Sequence, residues 1–359
     1  MNKENLKKYI GKENLSIVDA MRMIDVNSVG LLYIINNNNQ LTGCLTDGDI
    51  RRWLIRTGKV EGVVQQAMNH SPLFIYEDDV RTGIKEMEKR QLYSIAIVNK
   101  QKEITDIIFL ESLLKRKGKY KRKTLSDTPV IIMAGGKGTR LYPYTKILPK
   151  PLIPIGDIPI LERILNRFYD FGVNEFYLVI NYKKEMIKSY FSETIHSYHI
   201  SYIDEDIPMG TAGGIRLIRE KFERPVIITN CDILIETDYK KLLDFHISSS
   251  NDITIVSSMK NILVPYGVLY SKEQGVITAM KEKPQLSYFI NTGMYIVNPD
   301  ILDMIPEHSF FHMTDLSELL IKEGRQVGMY PISENSFLDM GEFEEMKKME
   351  DRINKGYVK

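Results

Sequence analysis

A glycine-rich loop followed by a cation is the most distinctive chemical feature of the sequence. The apolar run VIIMA leads into Gly135, Gly136 and Gly138, and Thr139 and Arg140 come next. Glycines let backbone N–H groups approach phosphate oxygens closely, so such a loop can hold an anion. A tight turn between a strand and a helix would use the same glycines.

The residues after the loop favour a phosphate ligand. Lys150 adds a second cation, and four prolines stiffen the connection to it: Pro143, Pro149, Pro151 and Pro154. A rigid segment with two cations suits a triphosphate. A P-loop is excluded because Gly138 follows Lys137, and a dinucleotide fingerprint is excluded because Leu141 occupies its third glycine position.

Two aspartates also follow apolar runs. Asp232 ends VIITNCD, and Asp339 lies in SFLDMGE. A carboxylate at the end of a buried strand is costly unless it is paired or bound to a metal. Either residue could instead cap a helix, with Glu342 completing a capping box after Asp339. Their positions alone leave both interpretations open.

The segments around these residues alternate between strands and helices. We predict strands at 128–134, 175–181, 199–205, 224–232 and 251–259, and a helix over 160–172 that stops at Gly172. Continuous apolar strands separated by helices indicate a mainly parallel sheet that is covered on both faces. Ligands bind at the carboxyl ends of the strands in such sheets.

An internal repeat precedes this region. Ile35 aligns with Val98 and Leu41 with Ile104, in both cases 63 residues apart, and each copy reads as helix, strand, turn, strand, helix. Neither copy can bury its sheet alone, so we predict a pseudo-symmetric pair. The basic run at 115–123 has seven cations in nine residues and indicates a solvated linker, which we place at 119–126.

Composition restricts the classes of function. The 359 residues have a formal net charge of +1, which gives no reason to expect a nucleic-acid or membrane partner. Two cysteines, Cys44 and Cys231, exclude a disulfide framework and favour the cytoplasm. There is no run of 18 apolar residues and no apolar core of a signal peptide.

The segment GGKGTRLYPYTKILPKPL resembles the signature of the sugar-1-phosphate nucleotidyltransferases. The resemblance covers about two-thirds of the chain and implies a Rossmann-like α/β domain at 127–359. It also implies that Arg140 stabilises the departing pyrophosphate and that Lys150 contacts the α-phosphate. The nucleotide would be held by the loop residues Gly135, Gly136, Gly138 and Thr139.

Further motifs of this family match the sequence. Asp232 and Asp339 would be its two Mg²⁺ ligands, although Cys231 replaces the commoner glycine and Met340 occupies a variable position. Gly210 and Thr211, in DIPMGTAGGI, would enclose the base. Glu205 precedes this cluster, where a carboxylate could accept from the N1–H and the exocyclic amine of guanine. That arrangement would favour GTP.

The resemblance also assigns a sugar site. Glu282 would bind sugar hydroxyls and Lys283 the sugar phosphate, while Gly267 and Asn291 would lie beside the sugar. His312 is expected to be a packing or surface residue.

The segment LTGCLTDGDIRRWL resembles the ending of a CBS domain, so residues 1–118 are expected to form a CBS pair. In that family Thr46 and Asp49 would contact an adenine nucleotide. The second copy has Phe109 and Ser112 at these positions, which weakens its site. Nucleotide regulation and a purely scaffolding role in a homo-oligomer remain alternatives.

These observations predict transfer of a nucleotidyl group from an NTP, with GTP favoured, to a sugar 1-phosphate. The combination of domains resembles glucosamine-1-phosphate guanylyltransferases of bacterial legionaminic-acid synthesis. Mannose-1-phosphate guanylyltransferases and thymidylyl or cytidylyl relatives are alternatives. A catalytically inactive, nucleotide-sensing protein is a further alternative.

Overall fold

The chain forms two compact units, Met1–Tyr120 and Lys121–Lys359. The computed structural model describes residues 6–27, 30–80, 94–109, 125–341 and 343–354. Most of the predicted linker at 119–126 and the predicted capping residue Glu342 lie outside these ranges. In the described part of the chain, no helix is both long and apolar enough to cross a membrane.

The first unit contains two three-stranded sheets. The strands of the first sheet are β1 (Ile10–Lys12), β2 (Leu31–Ile35) and β3 (Leu41–Thr46), and those of the second are β4 (Phe74–Tyr76), β5 (Ser94–Val98) and β6 (Ile104–Phe109). The described helices are α1 (Ile17–Asn27), α2 (Asp47–Thr57) and α3 (Val64–Ala67). In each sheet the first strand runs parallel to the second, and the third runs antiparallel to it.

The two sheets repeat the same hydrogen-bond ladder. Leu31 pairs with Thr46 in the first sheet, and Ser94 pairs with Phe109 in the second. The β-bulges also correspond, since the register shifts after Ile34 and after Ile97. The strands of the predicted repeat and their offset of 63 residues are therefore confirmed, whereas most of the second copy's predicted helices lies outside the described residues.

The second unit is built on one seven-stranded sheet. In spatial order its strands are β11 (His199–Asp204), β10 (Glu175–Ile180), β7 (Val130–Ala134), β12 (Val226–Asn230), β17 (Gln285–Val297), β14 (Ile253–Leu263) and β18 (Val327–Ile332). Three small sheets contain β8 (Pro154–Ile155) with β9 (Ile158–Pro159), β13 (Ile233–Ile235) with β19 (Phe337–Asp339), and β15 (Val268–Ser271) with β16 (Ile277–Lys281).

Helices follow many of these strands. They are α4 (Tyr144–Ile147), α5 (Ile160–Asp170), α6 (Lys184–Glu193), α7 (Tyr239–Ser248), α8 (Pro299–Leu302), α9 (Met313–Lys322) and α10 (Phe343–Asn354). The predicted helix over 160–172 is confirmed, and Gly172 follows it with a φ of 98°.

The large sheet is mainly parallel, as predicted. Only β17 runs antiparallel to its neighbours. Successive side chains of β7 enter different cores: Val130 and Ile132 pack on one face, and Ile131 and Met133 on the other. The sheet is thus buried on both faces, which leaves its strand ends as the places where polar side chains can meet.

Candidate functional site

The glycine loop follows β7 directly. Gly138 has a φ of 63°, in the left-handed region that favours glycine. A Cβ on it would lie 2.9 Å from Thr145 Cγ2 and 3.1 Å from Lys150 Cβ. At Gly136, by contrast, a Cβ would meet no atom within 4 Å. The loop is therefore tightly packed at its end and open in its middle, and Thr139 beyond it is exposed.

Two antiparallel strands bring the two aspartates together. Asp232 directly precedes β13, and Asp339 is the last residue of β19. Ile233 pairs with Asp339 in this small sheet, and the Met340 N–H donates to the Asp232 carbonyl over 2.8 Å. The Lys150 ammonium forms a salt bridge with the Asp232 carboxylate. The structure thus assembles two carboxylates and a cation from distant parts of the chain.

Burial and the charges of neighbouring residues shift the pKa of Asp339. Burial raises the pKa of Asp339, and the nearby charge of Asp232 raises that pKa further. The Gly341 N–H donates to Asp339 over 2.7 Å, and it opposes this shift together with the charges of Lys150 and Arg140. Arg140 is exposed on the loop and close enough to act on Asp339.

The donor set fits a hard divalent cation. The described residues contain no group of three or more His, Cys, Asp or Glu side chains that could hold a metal. Asp232 and Asp339 alone would therefore leave most coordination positions to other oxygens. Mg²⁺ is usually bound in this way, by one or two carboxylates together with phosphate oxygens and water.

Glu205 lies beneath the loop, wedged between two glycines. Its side chain is only 4% exposed. Added Cβ atoms would lie 2.7 Å from Oε2 at Gly135 and 2.3 Å from Oε1 at Gly214, so both positions require glycine. Oε1 has no hydrogen-bond partner. Burial raises the pKa of Glu205 to about 7, and a backbone hydrogen bond from Met209 opposes the rise.

The second glycine cluster is attached to the segment before α9. The Ala212 and Gly213 N–H groups both donate to the Phe311 carbonyl. Thr211 Oγ1 accepts from the Met313 N–H over 3.1 Å and lies 3.3 Å from His312 Nδ1. His312 thus contacts a loop with a predicted role in binding the base, which its sequence context did not indicate.

The predicted sugar residues fall into two places. A Cβ on Gly267 would lie 3.0 Å from a Glu282 carboxylate oxygen, and the Lys283 N–H donates to the Tyr266 carbonyl at the base of the β15–β16 hairpin. Glu282 and Lys283 are exposed. Among the described residues, no hydrogen bond or ion pair joins either side chain to the two aspartates.

Asn291 lies closer to the aspartates. Its Oδ1 accepts from the Gly293 N–H over 2.9 Å, and its Nδ2 donates to the Tyr295 hydroxyl over 2.7 Å. A Cβ on Gly293 would lie 2.4 Å from Asn230 Nδ2, two residues before Asp232. The part of β17 that follows Asn291, where the register with β14 shifts, therefore packs against the strand end that precedes Asp232.

In the first unit, Thr46 and Asp49 form the N-terminal cap of α2. Asp49 Oδ2 accepts from the Thr46 N–H over 2.8 Å and from Oγ1 over 2.6 Å, and the Asp49 N–H donates back to Oγ1. Asp49 Oδ1 pairs with Arg52. Phe109 takes the place of Thr46 in the second repeat and packs against Tyr9, whereas Ser112 lies outside the described residues.

Three residues after β10 were not singled out from the sequence. The side chains of Asn181, Tyr182 and Lys183 each donate to a backbone carbonyl of a segment in or near the site. Their position at the carboxyl end of a parallel strand beside β7 is the signal that could have identified them.

The models of two protein families match parts of the sequence. The sequence model of the nucleotidyl transferase family matches residues 129–356. The model of the CBS domain matches residues 12–56, within the first repeat. The D-glycero-alpha-D-manno-heptose 1-phosphate guanylyltransferase of Aneurinibacillus thermoaerophilus is 34% identical over 226 residues, which cover 62% of this chain and 97% of that protein.

Other relatives match over a shorter length. The mannose-1-phosphate guanyltransferase of Debaryomyces hansenii is 33% identical over 184 residues, or 49% of this chain and 51% of that protein. The chain thus spans about half the length of such relatives. A crystal structure of a putative glucose-1-phosphate thymidylyltransferase from Bacillus anthracis is 19% identical with a TM-score of 0.50, over 62% of this chain and 94% of that one. This likeness concerns the α/β fold alone.

Proposed function

Since the chain belongs to the nucleotidyl transferase family, we propose that it transfers a nucleotidyl group from an NTP to a sugar 1-phosphate. One observation carries this proposal. Lys150, Asp232 and Asp339 converge beside the glycine loop, although they come from three separate parts of the chain. This convergence favours an active enzyme over an inactive nucleotide sensor.

The proposed reaction is a direct displacement at the α-phosphorus. An oxygen of the sugar phosphate forms the new bond to phosphorus while the bond between the α-phosphorus and the bridging oxygen breaks and pyrophosphate leaves. The nucleophile is already an anion, so the protein needs no strong general base. Its task is to position the reactants and to offset negative charge.

The chain supplies several groups for this task. We assign backbone N–H groups at Gly135, Gly136 and Gly138, with Thr139, to the triphosphate. Arg140, exposed at the end of the loop, would stabilise the departing pyrophosphate. Lys150 would contact the α-phosphate, for which it must turn from its salt bridge with Asp232.

Asp232 and Asp339 would hold Mg²⁺. When bound, the ion would neutralise phosphate charge and orient the triphosphate. Its charge would also offset the repulsion between the two carboxylates, which adds to the effect of burial in raising the pKa of Asp339.

We propose GTP as the nucleotide. Glu205 offers a buried carboxylate oxygen without a hydrogen-bond partner, and guanine presents two adjacent donors, N1–H and the exocyclic amine. Thymine and uracil lack this pair of donors. Gly210 and Thr211 would enclose the base. Of the proteins named above, the two sequence relatives are a guanyltransferase and a guanylyltransferase by name.

For the sugar we propose glucosamine 1-phosphate, for surface-glycan or nonulosonate synthesis, with mannose 1-phosphate as the alternative. Glu282 would bind sugar hydroxyls beside Gly267, Lys283 would bind the sugar phosphate, and Asn291 would approach the sugar from the side of Asp232. The proximity of Gly267 and Glu282 supports a shared sugar site.

We further propose that residues 1–118 form a CBS pair that precedes the transferase domain at 127–359. The matching ladders 63 residues apart support a pair rather than a single domain. Thr46 and Asp49 would bind an adenine nucleotide by exchanging part of their mutual hydrogen bonds. A homo-oligomer assembled through this unit is the alternative role.

Pyrophosphate release from a panel of NTPs and sugar 1-phosphates tests the proposed function. We expect the highest rate with GTP and glucosamine 1-phosphate, and loss of the rate on chelation of Mg²⁺. The Asp232→Ala variant, which should still fold, is expected to lose turnover by orders of magnitude. Absence of pyrophosphate release for every pair of substrates would refute the proposal.

A further inference from the structure

The side chains of three consecutive residues after β10 contact Glu205 and the short helix α4, which lie in or near the proposed nucleotide site. We call Asn181, Tyr182 and Lys183 the β10 clamp. β10 is the parallel neighbour of β7, with Ile180 opposite Ala134. The clamp therefore leaves the sheet beside the start of the glycine loop, and the Tyr182 N–H points at the Gly135 carbonyl over 3.4 Å.

Each clamp side chain satisfies a backbone carbonyl. Asn181 Nδ2 donates to the Glu205 carbonyl over 2.7 Å. The Tyr182 hydroxyl donates to the Thr145 carbonyl over 3.1 Å. Lys183 Nζ donates over 2.7 Å to two carbonyls of the last turn of α4. Helix-end carbonyls have no intrahelical partner, and this lysine satisfies two of them.

Thr145 connects Tyr182 to the glycine loop. It is 0% exposed, and its Oγ1 donates to the Gly138 carbonyl over 2.8 Å. The same side chain packs where a Cβ on Gly138 would stand. Gly138 therefore has its carbonyl fixed by one atom of Thr145 and its α-carbon confined by another. A buried hydroxyl with one donor proton and one defined acceptor fixes a backbone orientation well.

We propose that Tyr182 and Thr145 are positioning residues that act in series: Tyr182 fixes the backbone of Thr145, and Thr145 fixes the glycine loop in the conformation that receives the triphosphate. Neither residue needs to touch a substrate. The inference rests on the proposed function, because it assigns the loop to the NTP.

Steady-state pyrophosphate release by the full-length protein tests this role, with each substrate varied in turn. A neutral hydrogen bond contributes about 1 kcal/mol, so each loss should change binding roughly fivefold or more. We expect KM for the NTP to rise about fivefold in Tyr182→Phe and about tenfold in Thr145→Val, while KM for the sugar phosphate stays constant. Thr145→Ser keeps the hydroxyl but loses Cγ2, so its KM for the NTP should lie much closer to wild type than that of Thr145→Val.

The double variant tests whether the residues act in series. Once Thr145→Val has removed the hydrogen bond to Gly138, loss of the Tyr182 hydroxyl can no longer affect the glycine loop through Thr145. The double variant should therefore show the NTP KM of Thr145→Val alone. If KM for the NTP in the double variant instead rises by the product of the two single-variant increases, the series arrangement is refuted.

Tyr190→Phe is the matched control. It removes a tyrosine hydroxyl that donates over 2.6 Å to Glu162 in the same unit. It should lower thermal stability without changing KM for the NTP. A wild-type protein that releases no pyrophosphate would refute the proposed function and this inference with it. An active wild type with unchanged KM in Tyr182→Phe and Thr145→Val would refute the positioning role alone.

Discussion

Replacing Glu205 by glutamine should remove the preference for GTP. The substitution preserves the shape of a side chain that is wedged between Gly135 and Gly214, so no cavity or clash arises. It converts a carboxylate that can accept two hydrogen bonds into an amide with one acceptor and one donor group. The amide N–H₂ would then face a donor of guanine.

The size of the effect follows from the hydrogen bonds at stake. A hydrogen bond to a charged group contributes about 1.5–3 kcal/mol. Losing one and opposing a second donor should cost about 3 kcal/mol, or roughly a hundredfold in kcat/KM for GTP. ATP lacks this pair of donors, so its kcat/KM should change little, and the ratio of GTP to ATP activity should fall accordingly.

The pH dependence supplies a second signature. The pKa of Glu205 is raised to about 7, so the carboxylate becomes ionised as the pH passes this value. In the wild type, kcat/KM for GTP should increase up to about pH 7 and then level off, while the variant should lack this rise. An unchanged ratio of GTP to ATP activity, measured as pyrophosphate release, would refute the assignment of Glu205 to the base.

Thermal unfolding checks that ionisation of Glu205 causes this pH dependence. The folded-state pKa of Glu205 exceeds its usual 4.5, so its contribution to stability is complete below that value and is lost as the pH rises through about 7. The variant should therefore gain in Tm relative to wild type as the pH rises from 5 to 8. The exposed Glu223 provides the control, because Glu223→Gln should show no such gain.

Three further outcomes are expected. Asp339→Asn should reduce kcat by at least a hundredfold without lowering Tm, since it also removes repulsion between carboxylates; retained turnover would contradict the proposed Mg²⁺ site. Gly138→Ala should raise KM for the NTP at least tenfold, because the positive φ costs about 1 kcal/mol and the added Cβ would crowd Thr145. Gly136→Ala places its Cβ in open space, so it should leave Tm unchanged. Trp53, the single tryptophan of the chain, lies in α2 and should report binding of AMP or ATP to the full-length protein by a saturable change in fluorescence that Thr46→Ala abolishes.

Local patterns in the sequence predicted much of the fold. Buried parallel strands are continuous apolar runs, which is why the strands near 130, 175, 199, 226 and 253 could be placed within a few residues. β17 was not predicted, although it is the longest of the described strands. Its first half, with Tyr288 and Asn291, lies in an exposed ladder with β14 and therefore lacks a continuous apolar pattern.

The site was harder to predict from sequence patterns than the fold. Asp232 and Asp339 are about a hundred residues apart, and only the pairing of β13 with β19 shows why they meet. The resemblance to the transferase family suggested this pairing, because spacing could not. Thr145 lies in the transferase signature, but its hydrogen bond and that of Tyr182 go to backbone carbonyls, which every residue carries. A side-chain motif therefore does not indicate these contacts.

The first unit contains two copies of the same ladder in one chain, so that two halves that could be separate molecules are covalently joined. Leu31 and Tyr33 from the first copy share a core with Ala96 and Val98 from the second, and the Tyr33 hydroxyl lies 3.0 Å from Ser94 Oγ. A single copy would expose this face and would have to find a partner by diffusion. Tandem duplication supplies the partner at a high effective concentration, independent of how much protein the cell makes. The two copies that share this core need not be identical, since Phe109 in the second copy holds the ladder position that Thr46 holds in the first.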